Sequence, residues 1–287
     1  MRNKNLILVL VFVCATSYGQ WSKGKGKGFY KLSTWYLETD QHFTDTGDID
    51  PNATRTQFNL NIYAEYGILD KLDVVGYVPF FARSTQNNIL SQTTGETIQE
   101  GESLNSIGDI DVGFNYNILK TNKWASSAKL LFGLPTGQDS GGSDGSYQTG
   151  DGEFNQYISL LLGYSSKITN NLPFYGKTYI GFNNRTEGFS DEFRYGIETG
   201  LNFYKNKFWL IARLDGIASF KNGSLNATNV AQGSIFANNI EYLSLGGEVS
   251  YYLTEKIGVS AGFASAVSGR IIAANPSFTA GIFLDIK

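Results

Sequence analysis

The chain has 287 residues, with 23 Lys and Arg against 26 Asp and Glu and a formal net charge of −3. So weak an acidity carries no electrostatic footprint for nucleic acid, and a single histidine and a single cysteine exclude His/Cys metal clusters. Mean hydropathy is −0.19, and no run of about 18 apolar residues follows the first twenty positions, which excludes helical spans but not strands, because every second residue of a transmembrane strand is polar.

The N-terminus reads as a secretory signal peptide, residues 1–19. Arg2 and Lys4 form a small basic region, Leu6 to Val13 an apolar stretch of eight residues, and Ser17-Tyr18-Gly19 sets small residues at positions −3 and −1 before Gln20. Eight apolar residues are too few to span a bilayer. A lipoprotein signal built on Cys14 is the alternative, and it meets Val13 where a small residue is expected. Cleavage after Gly19 removes the only cysteine, so no disulfide or thiolate chemistry remains. It also leaves 21 bases against 26 acids, a net charge of −5. Residues 20–28 form a lead-in whose Lys23-Gly-Lys-Gly-Lys27 reads as a flexible basic segment, able to touch anionic headgroups.

From residue 29 onward the chain alternates with period two, the repeat of a strand with one apolar and one polar face. Twelve such segments occur, most of about 10 to 14 residues, beyond the roughly 5–6 residues of an ordinary strand. Phe29–Glu38 puts Tyr30, Leu32, Thr34 and Tyr36 on the apolar parity, and Arg55–Tyr66 puts Phe58, Leu60, Ile62, Ala64 and Tyr66 there. Leu72–Arg83, with Val74, Val78 and Phe80 outward, and Ile107–Leu119, alternating from Asp109 and Ile110, come next. Then follow Trp124–Leu134, Glu153–Ile168 and Phe174–Arg185. Glu192–Tyr204 is the cleanest, with Phe193, Tyr195, Ile197, Thr199, Leu201 and Phe203 alternating with Glu192, Arg194, Gly196, Glu198, Gly200 and Asn202. Phe208–Phe220, Ile240–Leu253, Ile257–Ser268 and Ser277–Ile286 complete the set.

Every second connection is short: Gly67–Lys71, Lys120–Lys123, Thr169–Pro173, Lys205–Lys207 and Thr254–Lys256. The others are longer or more irregular: Thr39–Thr54, Ser84–Ser106, Pro135–Gly152, Thr186–Asp191, Lys221–Asn239 and Gly269–Pro276. Long alternating segments with short turns on one rim and long loops on the other predict an all-β, antiparallel, up-and-down transmembrane β-barrel over residues 29–287. Glycine (33 residues) and aromatic content (14%) suit tight turns and interfacial girdles. Lipid offers no partner for an open sheet edge, so the first strand must pair with the last. An even strand number puts both barrel termini on the short-turn, periplasmic side of a Gram-negative outer membrane. A soluble barrel is the alternative, and it has no need of the rim asymmetry.

The polar parity assigns Lys31, Arg83, Lys129, Lys177, Arg194 and Arg213 to the lumen, with Glu65, Asp73, Asp109, Asp111, Glu192, Glu198, Asp215, Glu248 and Asp285. Twelve strands lie between side-chain-filled eight-stranded barrels and open sixteen-stranded porins, so the interior is a narrow polar channel or is closed by its own side chains. These charges form a wall-stiffening salt-bridge lattice, a selectivity surface, or both. The candidates for selectivity are Lys129, Lys177, Arg194, Glu198, Arg213, Asp215, Glu65, Asp109 and Asp111. Arg194/Glu198 and Arg213/Asp215 are the best candidates for a constriction. Gly258, Ser260, Gly262 and Ala264 leave inward room for a folded loop or a passage.

Acidic loop stretches, Asp45–Asp50 and Asp139–Gly145, read as solvated, since neither has EF-hand spacing. They could also bind divalent ions that bridge lipopolysaccharide. Some barrels of this size are hydrolases. Here the one histidine, His42, is read in a rim loop, and no Gly-x-Ser-x-Gly elbow accompanies it. The chain therefore reads as a non-enzyme with no cofactor.

Three stretches in order, Tyr66-Gly-Ile-Leu-Asp-Lys-Leu-Asp-Val-Val-Gly-Tyr-Val-Pro-Phe80, Ile107-Gly-Asp-Ile-Asp-Val-Gly-Phe-Asn-Tyr-Asn-Ile-Leu119 and Leu130-Leu-Phe-Gly-Leu-Pro-Thr-Gly137, resemble the meta-pathway phenol-degradation family of outer-membrane proteins. The resemblance covers roughly residues 54–220. It implies a transporter of aromatic or other hydrophobic compounds and carries over no functional residue. The Gly19-Gln20 junction and the tail Ile282–Lys287 look like those of Bacteroidetes-type outer-membrane proteins.

The reading is thus a monomeric barrel passing a small solute. Its partners are outer-membrane lipids and lipopolysaccharide, the barrel-assembly machinery and that solute, with no nucleic acid. A plugged structural or adhesion barrel acting through its loops is the alternative, and a lipid hydrolase a remote one.

Overall fold

The computed structural model describes residues 22–91, 93–169, 172–204, 207–225 and 233–287. The signal-peptide reading (1–19) lies outside these residues, as do 170–171 and 205–206 of two short connections and 226–232 of a long one.

The strands are β1 (Gly28–Phe43), β2 (Ile49–Leu69), β3 (Leu72–Gln86), β4 (Ile89–Leu90), β5 (Thr97–Gln99), β6 (Glu102–Ser106), β7 (Ile110–Lys120), β8 (Trp124–Leu134), β9 (Asn155–Thr169), β10 (Leu172–Arg185), β11 (Glu192–Phe203), β12 (Phe208–Ser219), β13 (Glu241–Tyr252), β14 (Ile257–Arg270), β15 (Ile272–Ala273) and β16 (Ser277–Ile286). Twelve of them close an antiparallel ring in the order β1-β2-β3-β7-β8-β9-β10-β11-β12-β13-β14-β16 and back to β1. The seam runs from Gly28↔Ile286 to Leu37↔Ser277, and on its other side β1 pairs with β2 from Gly28↔Tyr66 to Phe43↔Ile49. No edge is left open. β6 prolongs the β7 ladder along β3, and β15 prolongs that of β16 along β1.

The barrel is apolar outside and polar inside. Ile180 and Ile197 are each 52% exposed on the outer face and Phe263 54%, whereas Asn61, Asp73, Ser84, Asn115, Asn117 and Ser127 are buried within. An apolar band running round the whole molecule exceeds what a water-soluble monomer exposes and matches a hydrocarbon-facing surface. Aromatic side chains bound it. Toward the short turns lie Trp124 against Tyr164 (4.7 Å between ring centres) and Phe203 against Phe208 (4.9 Å). Toward the long loops lie Phe182 against Phe220 (5.7 Å) and Phe193 stacked on Tyr195 (5.8 Å). On β11, Phe193 and Phe203 are ten residues apart, about 33 Å along the strand. At a tilt of about 40° that covers about 25 Å of membrane, the height of an outer-membrane apolar band.

Four expectations are corrected. Asn61 pairs with Pro79 but Leu60 with Phe81, so Phe80 is bulged out. A bulge moves every later side chain to the other face. Ala82, Ser84 and Gln86 therefore turn inward and are buried, while Arg83 is exposed outside and its Nε donates to Thr85 Oγ1 at 3.1 Å. Much of Thr39–Thr54 is strand rather than loop, because β1 and β2 continue as a hairpin to Phe43 and from Ile49. His42 thus sits on β1, not in a loop, and is buried at 3% exposure. Last, residues 22–27 do not form a free lead. Ser22 is fully buried, and Gly24 and Gly26 take φ of +85° and +78° in a turn folded against the short-turn mouth.

Candidate functional site in the lumen

The inward side chains fall into layers, taken here from the short-turn rim. At that rim Glu65, Asp73 and Asp285 converge from β2, β3 and β16. Lys23 fills the space between them. Its backbone N–H donates to both Asp73 oxygens at 3.1 Å, and its Nζ lies 3.9 Å from Glu65 and 3.8 Å from Asp285. The same ammonium stands 4.9 Å over the Phe29 ring, and the Tyr252 hydroxyl donates to Asp285 at 2.9 Å. Gly67 is required here: a Cβ would run into the Gly24 carbonyl, and its backbone instead pairs with Gly26 and Lys27.

The next layer is a belt of alternating charge. Lys177 bonds Glu198 (3.1 Å), Glu198 bonds Arg213 (2.7 Å), Arg213 bonds Glu248 (3.1 Å) and Glu248 bonds Lys31 (3.3 Å). Register places the first four on neighbouring strands, with Lys177↔Glu198 and Glu198↔Arg213 directly opposite. Lys31 reaches Glu248 past β16 and β14, where Gly281 and Gly262 carry no side chain to block it. Hydroxyls fill remaining lone pairs: Tyr175 donates to Glu198 at 2.7 Å and Ser250 to Glu248 at 2.9 Å. The Tyr175 ring lies flat on Gly200, its cross-strand partner, and Tyr179 lies likewise on Gly196. That close approach fixes where the two hydroxyls point. Lys129, on β8, faces the same space with no ion pair within 4.0 Å among the described residues.

Above the belt, Asp215 accepts from Tyr179 at 2.8 Å. It does not pair with Arg213, whose guanidinium is held instead by Glu198 and Glu248. Arg194 pairs not with Glu198 but with Glu192, giving Nε and Nη2 to one oxygen at 2.9 and 2.6 Å. Glu192 also holds Arg185 at 3.0 Å, and Arg185 reaches Asp151 at 2.6 Å. Structure thus brings Lys177, Glu198 and Arg213 together and sends Arg194 and Asp215 to other partners. Glu65 belongs to the rim, while Asp111 lines the upper lumen.

Loops cross the far mouth. Asp109 lies just before β7, not within it, and anchors the 135–154 loop by accepting from the backbone of Gly137 (2.9 Å) and Asp151 (2.8 Å). Arg55 holds the same loop by donating to the Ser146 carbonyl (3.0 Å) and hydroxyl (2.7 Å), over the buried Tyr147 ring. Asp144, in this loop, is held below the ordinary carboxylate pKa by the Ser146 hydroxyl and backbone N–H; burial raises that of Tyr147. Ser234 donates to Gln148 at 2.8 Å, joining a second inward segment. Glu153, 1% exposed, accepts from the amides of Glu187 and Phe189. Beneath these loops a cavity of about 320 Å³ lies between the walls. No cluster of three or more His, Cys, Asp or Glu arranged to hold a metal occurs among the described residues.

Sequence parity alone missed the Lys23 insertion, the tyrosine hydroxyls and the inward loops. Tyr175 and Tyr179 share the parity of Lys177, a signal that could have found them. The loops carry none.

No family model matches the chain, and no curated protein does. Among solved structures, the COG4313 outer membrane channel from Pseudomonas putida F1 superposes with a TM-score of 0.57 at 11% identity, over 94% of this chain and all of that one. The β-domain of the Bordetella autotransporter BrkA gives 0.53 at 15% identity, over 91% of this chain and 100% of that one. A porin, NanC, gives 0.48 at 9% identity, over 90% and 99%. The chain shares the fold of outer-membrane barrels.

Proposed function

We propose that the chain is a passive channel for a small organic solute, apolar or aromatic in part, across the outer membrane of a Gram-negative bacterium. The observation that carries this reading is a hydrocarbon-ready cylinder whose interior is polar, charged and hollow beneath its loops. In this proposal the short turns and both barrel ends face the periplasm, and the long loops face outward. The nine charged candidates (Lys129, Lys177, Arg194, Glu198, Arg213, Asp215, Glu65, Asp109 and Asp111) set selectivity along the path. The protein works as a monomer, inserted by the barrel-assembly machinery.

Reconstitution tests this. In planar bilayers the folded protein should give discrete conductance steps, and in liposomes it should speed solute entry above empty vesicles. A folded protein that conducts no ion and admits no solute would end the channel reading. The buried Tyr147, Gln148 and Asn238 across the mouth favour one second reading, a closed barrel acting through its outer loops. Two measurements separate them: a channel conducts with its loops intact and conducts more when residues 137–149 are shortened, whereas an adhesion barrel conducts nothing with its loops intact and loses surface binding on that shortening.

A further inference from the structure

The cavity below the loops, about 320 Å³, lies at the small end of the roughly 300–1,000 Å³ range of small-molecule sites. Two opposite charges face it, one with free donor protons and one with a free carboxylate. Arg194 gives Nε and Nη2 to Glu192, and no acceptor among the described residues takes its Nη1 protons. The Asp111 carboxylate, on β7, makes no hydrogen bond or ion pair within 4.0 Å among the described residues. The neighbouring carboxylates are already engaged. Asp109 holds the Gly137 and Asp151 amides, and Asp151 holds Arg185. Arg194 and Asp111 feel each other's charge yet stand more than 4.0 Å apart, so they do not neutralise one another by contact. Trp35, Tyr77 and Tyr157 wall the space between, and the Arg194 guanidinium lies 5.5 Å from the Tyr157 ring centre.

A separated acid and base in a small aromatic-lined chamber match a solute that carries both charges itself. We infer that this cavity binds a small zwitterion with an aromatic or apolar side chain, its carboxylate on Arg194 Nη1 and its ammonium on the Asp111 carboxylate. The inference rests on the channel reading and names the class of its solute. Discrimination works by difference. An anion of the same shape satisfies Arg194 but is repelled by Asp111, and a cation satisfies Asp111 but meets Arg194. The rings accept the side chain of any of the three and do not choose between them.

The test uses three probes that share a ring and differ in charge: L-phenylalanine, 3-phenylpropionate and 2-phenylethylamine. Initial uptake into proteoliposomes is measured at low, equal concentrations near pH 7. L-Phenylalanine should enter about tenfold faster than either, the ratio expected when one charge-assisted hydrogen bond is present rather than missing. Asp111→Asn should bring phenylalanine and phenylpropionate to about equal rates. Arg194→Gln should do so for phenylalanine and phenylethylamine, Glu192 keeping Arg185 as its cation. Heat-modifiable mobility on gels verifies folding; if Arg194→Gln does not fold, Arg194→Lys, which keeps the charge, must keep the preference. Equal entry of all three probes, unchanged in the variants, overturns the inference and leaves the channel standing, the two charges being merely hydrated. Faster entry of either singly charged probe overturns it as well. Failure of every probe and every ion to pass is the separate failure of the channel reading.

Discussion

Glu198 accepts from Lys177, Arg213 and Tyr175 while only 13% of its side chain is exposed. Such a group is stabilising because of what its loss would strand. Glu198→Gln removes the charge that two neighbouring cations share, and hydrogen bonds to charged groups are worth more than neutral ones. The variant should lose roughly 2–3 kcal/mol, measured by urea unfolding from lipid vesicles. A loss below about 0.5 kcal/mol would mean that lumen water already solvates the belt. Ile271 makes the opposite case. It is β-branched and held at φ +56° between β14 and β15, where such a side chain is strained. Ile271→Gly should therefore gain about 1 kcal/mol, read as a rise in the same unfolding midpoint. No gain would show that its packing offsets the strain. The inward face of Lys177, Glu198, Arg213 and Asp215 was legible because strand parity is a local property. Their pairing was not, because partner choice depends on the stagger between strands, which one strand's residues do not encode.

At the level of elements, Trp124–Leu134 and Ser277–Ile286 were legible to the residue. Each is bounded by turn and loop residues that break the strand pattern. Arg83 was misread because one bulge, set by how β2 meets β3 at Pro79, reverses parity beyond it. Asp109 was drawn into a strand that starts one residue later, since its own role is to hold a loop. The inward loops and the lead segment have no periodicity at all; their positions come from lumen carboxylates and arginines contributed by distant strands. The lead segment gives an element-scale prediction. Residues 22–27 occupy the short-turn mouth, and a methyl group on residue 67 would collide with the Gly24 carbonyl. Gly67→Ala should expel the segment, since backbone on both sides leaves no room to relax. Ser22, fully buried in the native fold, then becomes accessible. On a Cys14→Ser background, Ser22→Cys should label slowly with a membrane-impermeant thiol reagent, and the added Gly67→Ala should make labelling fast while single-channel conductance rises. Fast labelling before that change would show that the segment does not close the mouth.

Over the whole molecule, burial is inverted: hydrocarbon-facing aliphatic and aromatic side chains surround a polar interior. The ring closes because β1 bonds both β2 and β16, so that the sheet has no open edge toward lipid among the described residues. That closure gathers on one axis charges far apart in the chain, and their balance decides which ion passes more easily. Lys23, Lys31, Lys129, Lys177, Arg185, Arg194 and Arg213 face a larger set of carboxylates: Glu65, Asp73, Asp109, Asp111, Asp151, Glu192, Glu198, Asp215, Glu248 and Asp285. Most cations are consumed in ion pairs, so the surplus field along the path is negative. A conducting barrel of this kind should favour cations. In a KCl gradient the reversal potential should carry the sign of potassium selectivity at about 0.1 M, where the Debye length is about 10 Å. It should fall toward zero near 1 M, where that length is about 3 Å. Anion selectivity at low salt, or selectivity that does not change with salt, would place the conducting path away from these carboxylates.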